Sequence, residues 1–311
     1  ETIEMDQIFS TNTYRADLVD LYDGMLIKYY IMAVDSDGIV QTYPNNAPDS
    51  YVMFILGDLP DYYVNNFETD IDGWIVGDES DDASSGIWEL AIPIATFNDE
   101  NIQIQPGNDI SDEGEYCFIT GNGFEQENGG FDDVDNGKTT LYSPVFDLSN
   151  FNEIVLSYWR WYTNDIGDNG DSDKWEVSVS NDNGNSWVNL EYISSSEANW
   201  TKKIFLLSDT IELTSNVLLR FIAEDIFYDG DNGSGGSLVE AGIDDFKLEF
   251  LGDGVYGDIN GDSEVNVLDV VILINMILGT EPENYSTGDL NSDNQINVQD
   301  IVLVVNVIIG N

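Results

Sequence analysis

The segment GDINGDSEVNVLD at 257–269 returns 31 residues later as GDLNSDNQINVQD at 288–300. Five pairs keep that offset: Asp258/Asp289, Asn260/Asn291, Asp262/Asp293, Asn266/Asn297 and Asp269/Asp300. Counted from the first aspartate, side-chain oxygens fall at loop positions 1, 3, 5, 9 and 12. Glu264 or Gln295 stands at position 7, where a backbone carbonyl suffices. A twelve-residue turn with this schedule wraps oxygens around one hard cation, so all twelve residues are candidate ligands. Each loop offers three carboxylates and two amide oxygens, a set suited to calcium; magnesium keeps its waters and rarely accepts an all-protein cage. Turns rich in Asn and Asp are ordinary in so acidic a chain, but a five-position match at constant spacing is poorly explained by chance.

Each loop runs into an apolar stretch, VVILINMILG or IVLVVNVIIG. Both are rich in β-branched residues, and read alone either could be a buried strand. A helix is expected, because position 12 must turn back onto the ion. Helices this apolar have a second greasy face that a domain of ~60 residues cannot bury. That face needs a cover: a partner domain, the neighbouring domain or another copy of the chain.

The paired loops resemble the type I dockerin module, whose calcium loops run D-x-N-x-D and close with Asp. The resemblance covers the last ~55 residues and implies calcium binding, which supplies folding energy, and docking onto a cohesin-like partner. Two departures stand out. Position 6, usually glycine for the sharp turn, is Ser263 in one loop and Asn294 in the other. The helices also lack the basic residues that often follow dockerin loops.

Charge narrows the remaining possibilities. Nine Lys+Arg stand against 60 Asp+Glu, a formal net charge of -51. Such a surface repels nucleic acid and anionic membranes. It does not imply disorder, because 42% of the residues are hydrophobic and 12% aromatic. Bound cations would relieve the self-repulsion, and salt adaptation is compatible with the same composition. The chain has no histidine and one cysteine, Cys117. That excludes imidazole-based triads, an intramolecular disulfide framework and multi-cysteine zinc sites. No apolar run reaches the ~18 residues of a membrane span, and the first residues lack a basic and then apolar stretch, so a leader peptide is expected to be absent or already removed. A secreted location is expected.

Residues 1–58 carry strand-like runs at Tyr14–Leu18, Met25–Val34, Ile39–Tyr43 and Tyr51–Leu56, with Asp35–Gly38 as a hairpin turn. About four strands fall short of the seven of an immunoglobulin-like sandwich, so this zone reads as a partial one, either cut from a longer precursor or completed by another chain or the adjacent domain. Residues 59–251 carry short alternating strands between Gly/Asn/Asp turns, the pattern of an antiparallel sandwich or jelly roll. The segments FETDIDGW, LYSPVFDLS, LSYWRWY, WEVSVSNDNGNSWVNLE and EAGIDDFKLE resemble the jelly-roll domains of the meprin-type (MAM) and immune-inhibitor-A class. That resemblance implies a non-catalytic accessory domain with one calcium held by Glu68 and Asp245, with Asp70, Asp133 and Asp135 as helpers. A second acidic loop with Asp165, Asp168, Asp171 and Asp173 reads equally as a calcium site or a solvated turn. In SYWRWY, Trp159 and Trp161 share one face and Tyr158, Arg160 and Tyr162 the other. Either row could stack on sugars if exposed, but core and partial cover are the favoured reading. Sequons occur at Asn199, Asn232 and Asn284. Among 60 acids, a carboxylate pair for hydrolysis carries no signal.

The expectation is a mainly β, secreted, non-catalytic calcium-binding surface protein. Its parts are a partial Ig-like segment (1–58), a jelly-roll β-sandwich (59–251) and a small all-α, EF-hand-like dockerin domain (252–311). The expected partner is a cohesin-like domain or a neighbouring copy, the latter giving a head-to-tail fibre, with glycans as a further ligand. The alternative is a carbohydrate- or protein-binding accessory of a secreted peptidase.

Overall fold

A computed structural model describes residues 2–9, 11–19, 24–68, 71–98, 100–111, 114–123, 130, 132–149, 151–167, 169–226, 236–251, 257–260, 265–281, 288, 290 and 295–309. The chain divides into two compact units, Glu1–Leu59 and Pro60–Asn311.

The first unit is built of short antiparallel pairs. Strands β1 (Asp6–Gln7) and β2 (Tyr14–Arg15) form one; β3 (Met25–Tyr29) and β6 (Val52–Leu56) form another; β4 (Ile31–Val34) and β5 (Val40–Tyr43) form the third. The run from Met25 to Val34 is therefore two strands with different partners. The β4–β5 turn is set by Asp35, whose carboxylate accepts from the amides of Asp37 and Ile39, both at 2.9 Å. None of the described residues 2–58 is buried, and β4 is exposed along its whole length.

The second unit contains a two-sheet sandwich. Its strands are β7 (Asp61–Asn65), β8 (Ile75–Val76), β9 (Trp88–Ala91), β10 (Thr96–Phe97), β11 (Gln103–Gln105), β12 (Cys117–Thr120), β13 (Gly137–Tyr142), β14 (Ile154–Thr163), β15 (Lys174–Ser180), β16 (Val188–Ile193), β17 (Glu197–Leu206), β18 (Leu218–Asp225) and β19 (Glu240–Phe250). One sheet runs β17-β14-β19-β12-β9, with β7 also paired to β19; the other runs β16-β15-β18-β13-β8. Alternating side chains of the two inner faces make the core, including Trp88, Phe118, Leu156, Tyr158, Trp175, Phe221 and Phe246. Full burial of each such side chain stabilises by about 1.5–3 kcal/mol.

Arg160 belongs to the inward row of β14 and is almost inaccessible. It reaches across the sandwich to Glu191 of β16 at 2.7 Å and also pairs with Glu197. The Glu191 carboxylate further accepts from the Tyr158 hydroxyl at 2.8 Å and the Trp175 indole at 2.6 Å. Both faces of β14 are covered: outside the core, the Trp161 indole donates to the Ile104 carbonyl at 2.7 Å. The β10–β11 hairpin and the segment after it thus lie over the outer face of the larger sheet, which brings residues 108–111 beside β19.

Beyond the sandwich come two helices, α1 (Val267–Ile277) and α2 (Val298–Ile309). Their small core comprises Ile259, Leu273, Met276 and Val304, with Val265, Val270, Ile272, Leu290, Ile296 and Ile301 packed around it. The architecture is mainly β, with α1 and α2 in the C-terminal part and a short 3-10 turn at Leu207–Asp209 between β17 and β18.

Candidate metal centres and docking surface

In each terminal repeat the last aspartate closes the loop from inside. Asp269 is inaccessible to solvent. One of its oxygens accepts from the amides of Ile259 (2.8 Å) and Asn260 (3.1 Å), and the other from Asn266 (2.8 Å). Asp300, also fully buried, does the same with Leu290 (2.9 Å) and Asn297 (2.8 Å). The position-9 asparagines are helix N-caps: Asn266 accepts from Leu268 at 2.9 Å and Asn297 from Gln299 at 2.8 Å. Asn266 and Asp269 together form a capping box. The carboxylate at the helix start is also favoured by the helix dipole. The Ile259, Asn266 and Leu268 bonds of the first repeat thus have their counterparts at Leu290, Asn297 and Gln299 in the second.

Asp258 is half-buried, while Asn260 and Gln295 are exposed. Asp262, Glu264, Asp289, Asn291 and Asp293 lie outside the described residues, as do Ser263 and Asn294. The donors present are oxygens only, and two of them are carboxylates removed from water; this set fits a hard divalent cation.

The helices expose a matched pair of apolar faces. On α1 these are Val267, Val271, Ile274 and Ile277; on α2, Val298, Val302, Val305 and Ile308. Each residue of the first set has its counterpart 31 positions on.

Within the sandwich, Glu68 and Asp245 gather around a residue the sequence did not single out, Asp109. Burial, then the charges of Glu68 and Asp245, raise the Asp109 carboxyl above its ordinary range. Its Oδ2 is buried and has no hydrogen-bond partner. Glu68 accepts from the amides of Glu115 (2.9 Å) and Tyr116 (2.7 Å), and Asp245 from the Ser111 hydroxyl (2.9 Å). Asp244, behind them, is pushed up to about 7, chiefly by burial. The backbone is bent to make this arrangement. The β14–β19 register slips between Ser157 and Trp159, and Asp245, opposite the slip, has φ 46°; such a bulge re-aims a side chain. Phe67, next to Glu68, has φ 61°, a costly conformation for a bulky residue. Gly114 is required, since a Cβ there would sit 2.0 Å from the Glu68 carboxyl carbon. Asp70 lies outside the described residues.

Asp133 and Asp135 are not helpers of that site. They lie at the end of the sandwich where β13 and β19 begin and β18 ends. Glu240 and Asp245 are five positions apart along β19, roughly 16 Å of strand. Burial, then Asp135, pushes Asp133 up to about 8, and burial, then Asp133, raises Glu240. Asp173 joins this end too, accepting from the Ile226 amide at 2.8 Å and the Ser237 hydroxyl. Of its acidic loop, Asp165 and Asp171 are exposed and Asp168 lies outside the described residues.

Beside Asp245 opens a cleft of about 560 Å³, lined by Val64, Asn66, Ile110, Ser111, Trp159 and Lys247. Trp159 is half-buried there, whereas Tyr158 and Tyr162 are inaccessible and Trp161 nearly so. The Tyr158 row is core, which removes it as a sugar platform. Among the described residues no group of three or more acidic or cysteine side chains stands close enough to hold an ion as placed. Unscreened carboxylates repel, and a cation would draw them together. Asn199 is exposed; Asn232 and Asn284 lie outside the described residues. Among the described residues no helix is long and apolar enough to cross a membrane.

Comparison with known proteins agrees with the geometry of the tail. Residues 256–309 match the family model of the dockerin type I domain. Type I dockerins are calcium-binding modules that bind cohesins. No curated protein matches the chain. Among solved structures, the K1 cleaved adhesin domain of Lys-gingipain from Porphyromonas gingivalis is 15% identical, over 60% of this chain and 97% of that one, with a TM-score of 0.38. TmCBM61 in complex with β-1,4-galactotriose is 14% identical over 58% and 90%, at 0.34, and a xylan-binding CBM 22 domain 9% over 62% and 97%, at 0.35. Likenesses this distant say nothing of what this chain binds.

Proposed function

We propose that this chain is a secreted, non-catalytic, calcium-loaded docking protein organised as 1–58, 59–251 and 252–311. Calcium held by Asp258, Asn260, Asp262, Glu264, Asn266 and Asp269, and by Asp289, Asn291, Asp293, Gln295, Asn297 and Asp300, folds the tail. The folded tail presents α1 and α2 to a cohesin-like partner. The observation that carries this reading is the pair of exposed apolar faces, equivalent residue for residue, on helices whose loops close around buried carboxylates. Val271→Glu combined with Val302→Glu tests it. The double variant keeps its helices and calcium uptake but loses capture by a cohesin panel; undiminished capture refutes the surface.

In the sandwich, the MAM-like reading gives Glu68 and Asp245 a structural calcium, which Asp109 completes. A second role, recognition of a glycan by the sandwich, draws support from Trp159 in its cleft. Trp159→Ala abolishes glycan-array binding on this reading, and an array blank for the wild type removes it. Self-association draws support from the exposed β4 strand of the first unit. Sedimentation in millimolar calcium checks it: concentration-dependent assemblies are expected, and a monomer at every concentration excludes the fibre.

A further inference from the structure

A further carboxylate cluster stands at the end of the sandwich, separate from the Glu68–Asp109–Asp245 group and from the terminal loops. Asp133 is 1% exposed and Asp225 1% exposed. The Asp133 Oδ2 and the Asp135 Oδ1 are sealed from solvent and accept no hydrogen bond. Ser85 ties the segment together, donating to the Asp133 carbonyl (2.8 Å) and the Asp135 carboxylate (3.1 Å). The Asn136 amide holds Asp225 at 2.7 Å, and the Val134 amide binds the Val239 carbonyl at 2.9 Å, which sets Asp133 next to Glu240.

The fold makes room for this intrusion. A Cβ on Gly86 would lie 2.3 Å from the Val134 nitrogen, and one on Gly121 would lie 1.9 Å from the Asp132 carbonyl oxygen. Two glycines thus let the Asp132–Val134 backbone press inward, carrying the Asp133 carboxylate out of reach of the surface. No lysine or arginine forms an ion pair with Asp133, Asp135 or Glu240 among the described residues. An unpaired buried carboxylate is costly unless a proton or a cation neutralises it.

We propose that Asp133 and Asp135, with Asp225 beside them, bind a hard divalent cation of the calcium class that pins the 132–136 segment between β18 and β19. The ligands are all oxygen, which excludes soft metals, and two to three carboxylates balance its charge. The site is structural: it clamps the loop-bearing end of the sandwich and takes no part in docking.

Counting bound calcium per intact chain by equilibrium dialysis tests this. Asp133→Asn and Asp135→Asn each lower the count by one relative to wild type, while near-UV circular dichroism reports a folded sandwich. A folded variant with the wild-type count overturns the assignment and leaves a shared proton as the neutralising species. Asp135 is only half-buried, so its variant is the one expected to fold if Asp133→Asn does not. A crystal of the wild-type chain grown in calcium decides independently of either variant. Anomalous density between Asp133 and Asp135 supports the site; its absence, with density in the terminal loops, overturns it.

Discussion

Asp269→Ala is the sharpest perturbation of the docking module. The carboxylate accepts from three amides, at 2.8, 3.1 and 2.8 Å. A hydrogen bond to a charged group contributes about 1.5–3 kcal/mol; the low value for the two part-buried amides and a middle value for the buried one sum to roughly 5 kcal/mol. A module of about 54 residues, spanning 256–309, has in total only about 3–8 kcal/mol at ordinary stability per residue. The substitution therefore removes most or all of the folding free energy before any loss of calcium is counted. Asp269→Asn keeps one acceptor oxygen and falls between. The assay is hydrogen exchange with mass spectrometry on peptides covering 267–277, in the intact chain with calcium present. Exchange in the Ala variant approaches the unprotected rate while β14 and β19 keep their protection. If α1 of Asp269→Ala exchanged within threefold of wild type, the buried carboxylate would not hold the loop, and the reasoning would fail.

Other outcomes follow from the sandwich. Arg160→Met strands Glu191 as a buried carboxylate with only neutral donors and destabilises by about 3–5 kcal/mol, read from urea unfolding; adding Glu191→Gln restores most of it. Asp78 is held down at about 2, first by the Ser80 hydroxyl and then by that of Tyr142 at 2.6 Å. Because its folded value is depressed, its contribution is present above about pH 4 and lost as pH falls through about 2. Tyr142→Phe moves the Asp78 midpoint upward in a carboxyl NMR titration. An unchanged midpoint shows the phenol is irrelevant there.

How much was legible varies with the physics. Strands β12 to β18, and the second half of β19, could be read as short apolar and aromatic runs between Gly/Asn/Asp turns. Strands β8, β10 and β11 could not: runs of two or three residues such as Gln103–Gln105 are too brief for a period to show. β19 was visible only from Phe246 onward, since the bulge at Asp245 and a glycine interrupt its pattern. Helices α1 and α2, β-branched and ambiguous alone, were fixed by the loops before them. Their N-caps were written as N-x-x-D ahead of an apolar run, a capping signal that the ligand schedule overshadowed. Glu68 and Asp245 could be proposed from family resemblance. Asp109 could not, because it reaches them through a hairpin lying over the outer face, and no local spacing encodes that approach. Asp133 illustrates the same limit: Asp135 is its sequence neighbour, but Asp225 and Glu240 meet it only once β13, β18 and β19 align.

The central claim is that calcium folds the terminal module and thereby forms its docking faces. A calcium titration of the chelator-treated intact chain, followed by helical ellipticity, tests it most directly. The account predicts helicity that rises to saturation with calcium and collapses again on chelation. Helicity already complete without calcium, and indifferent to its addition, would contradict it.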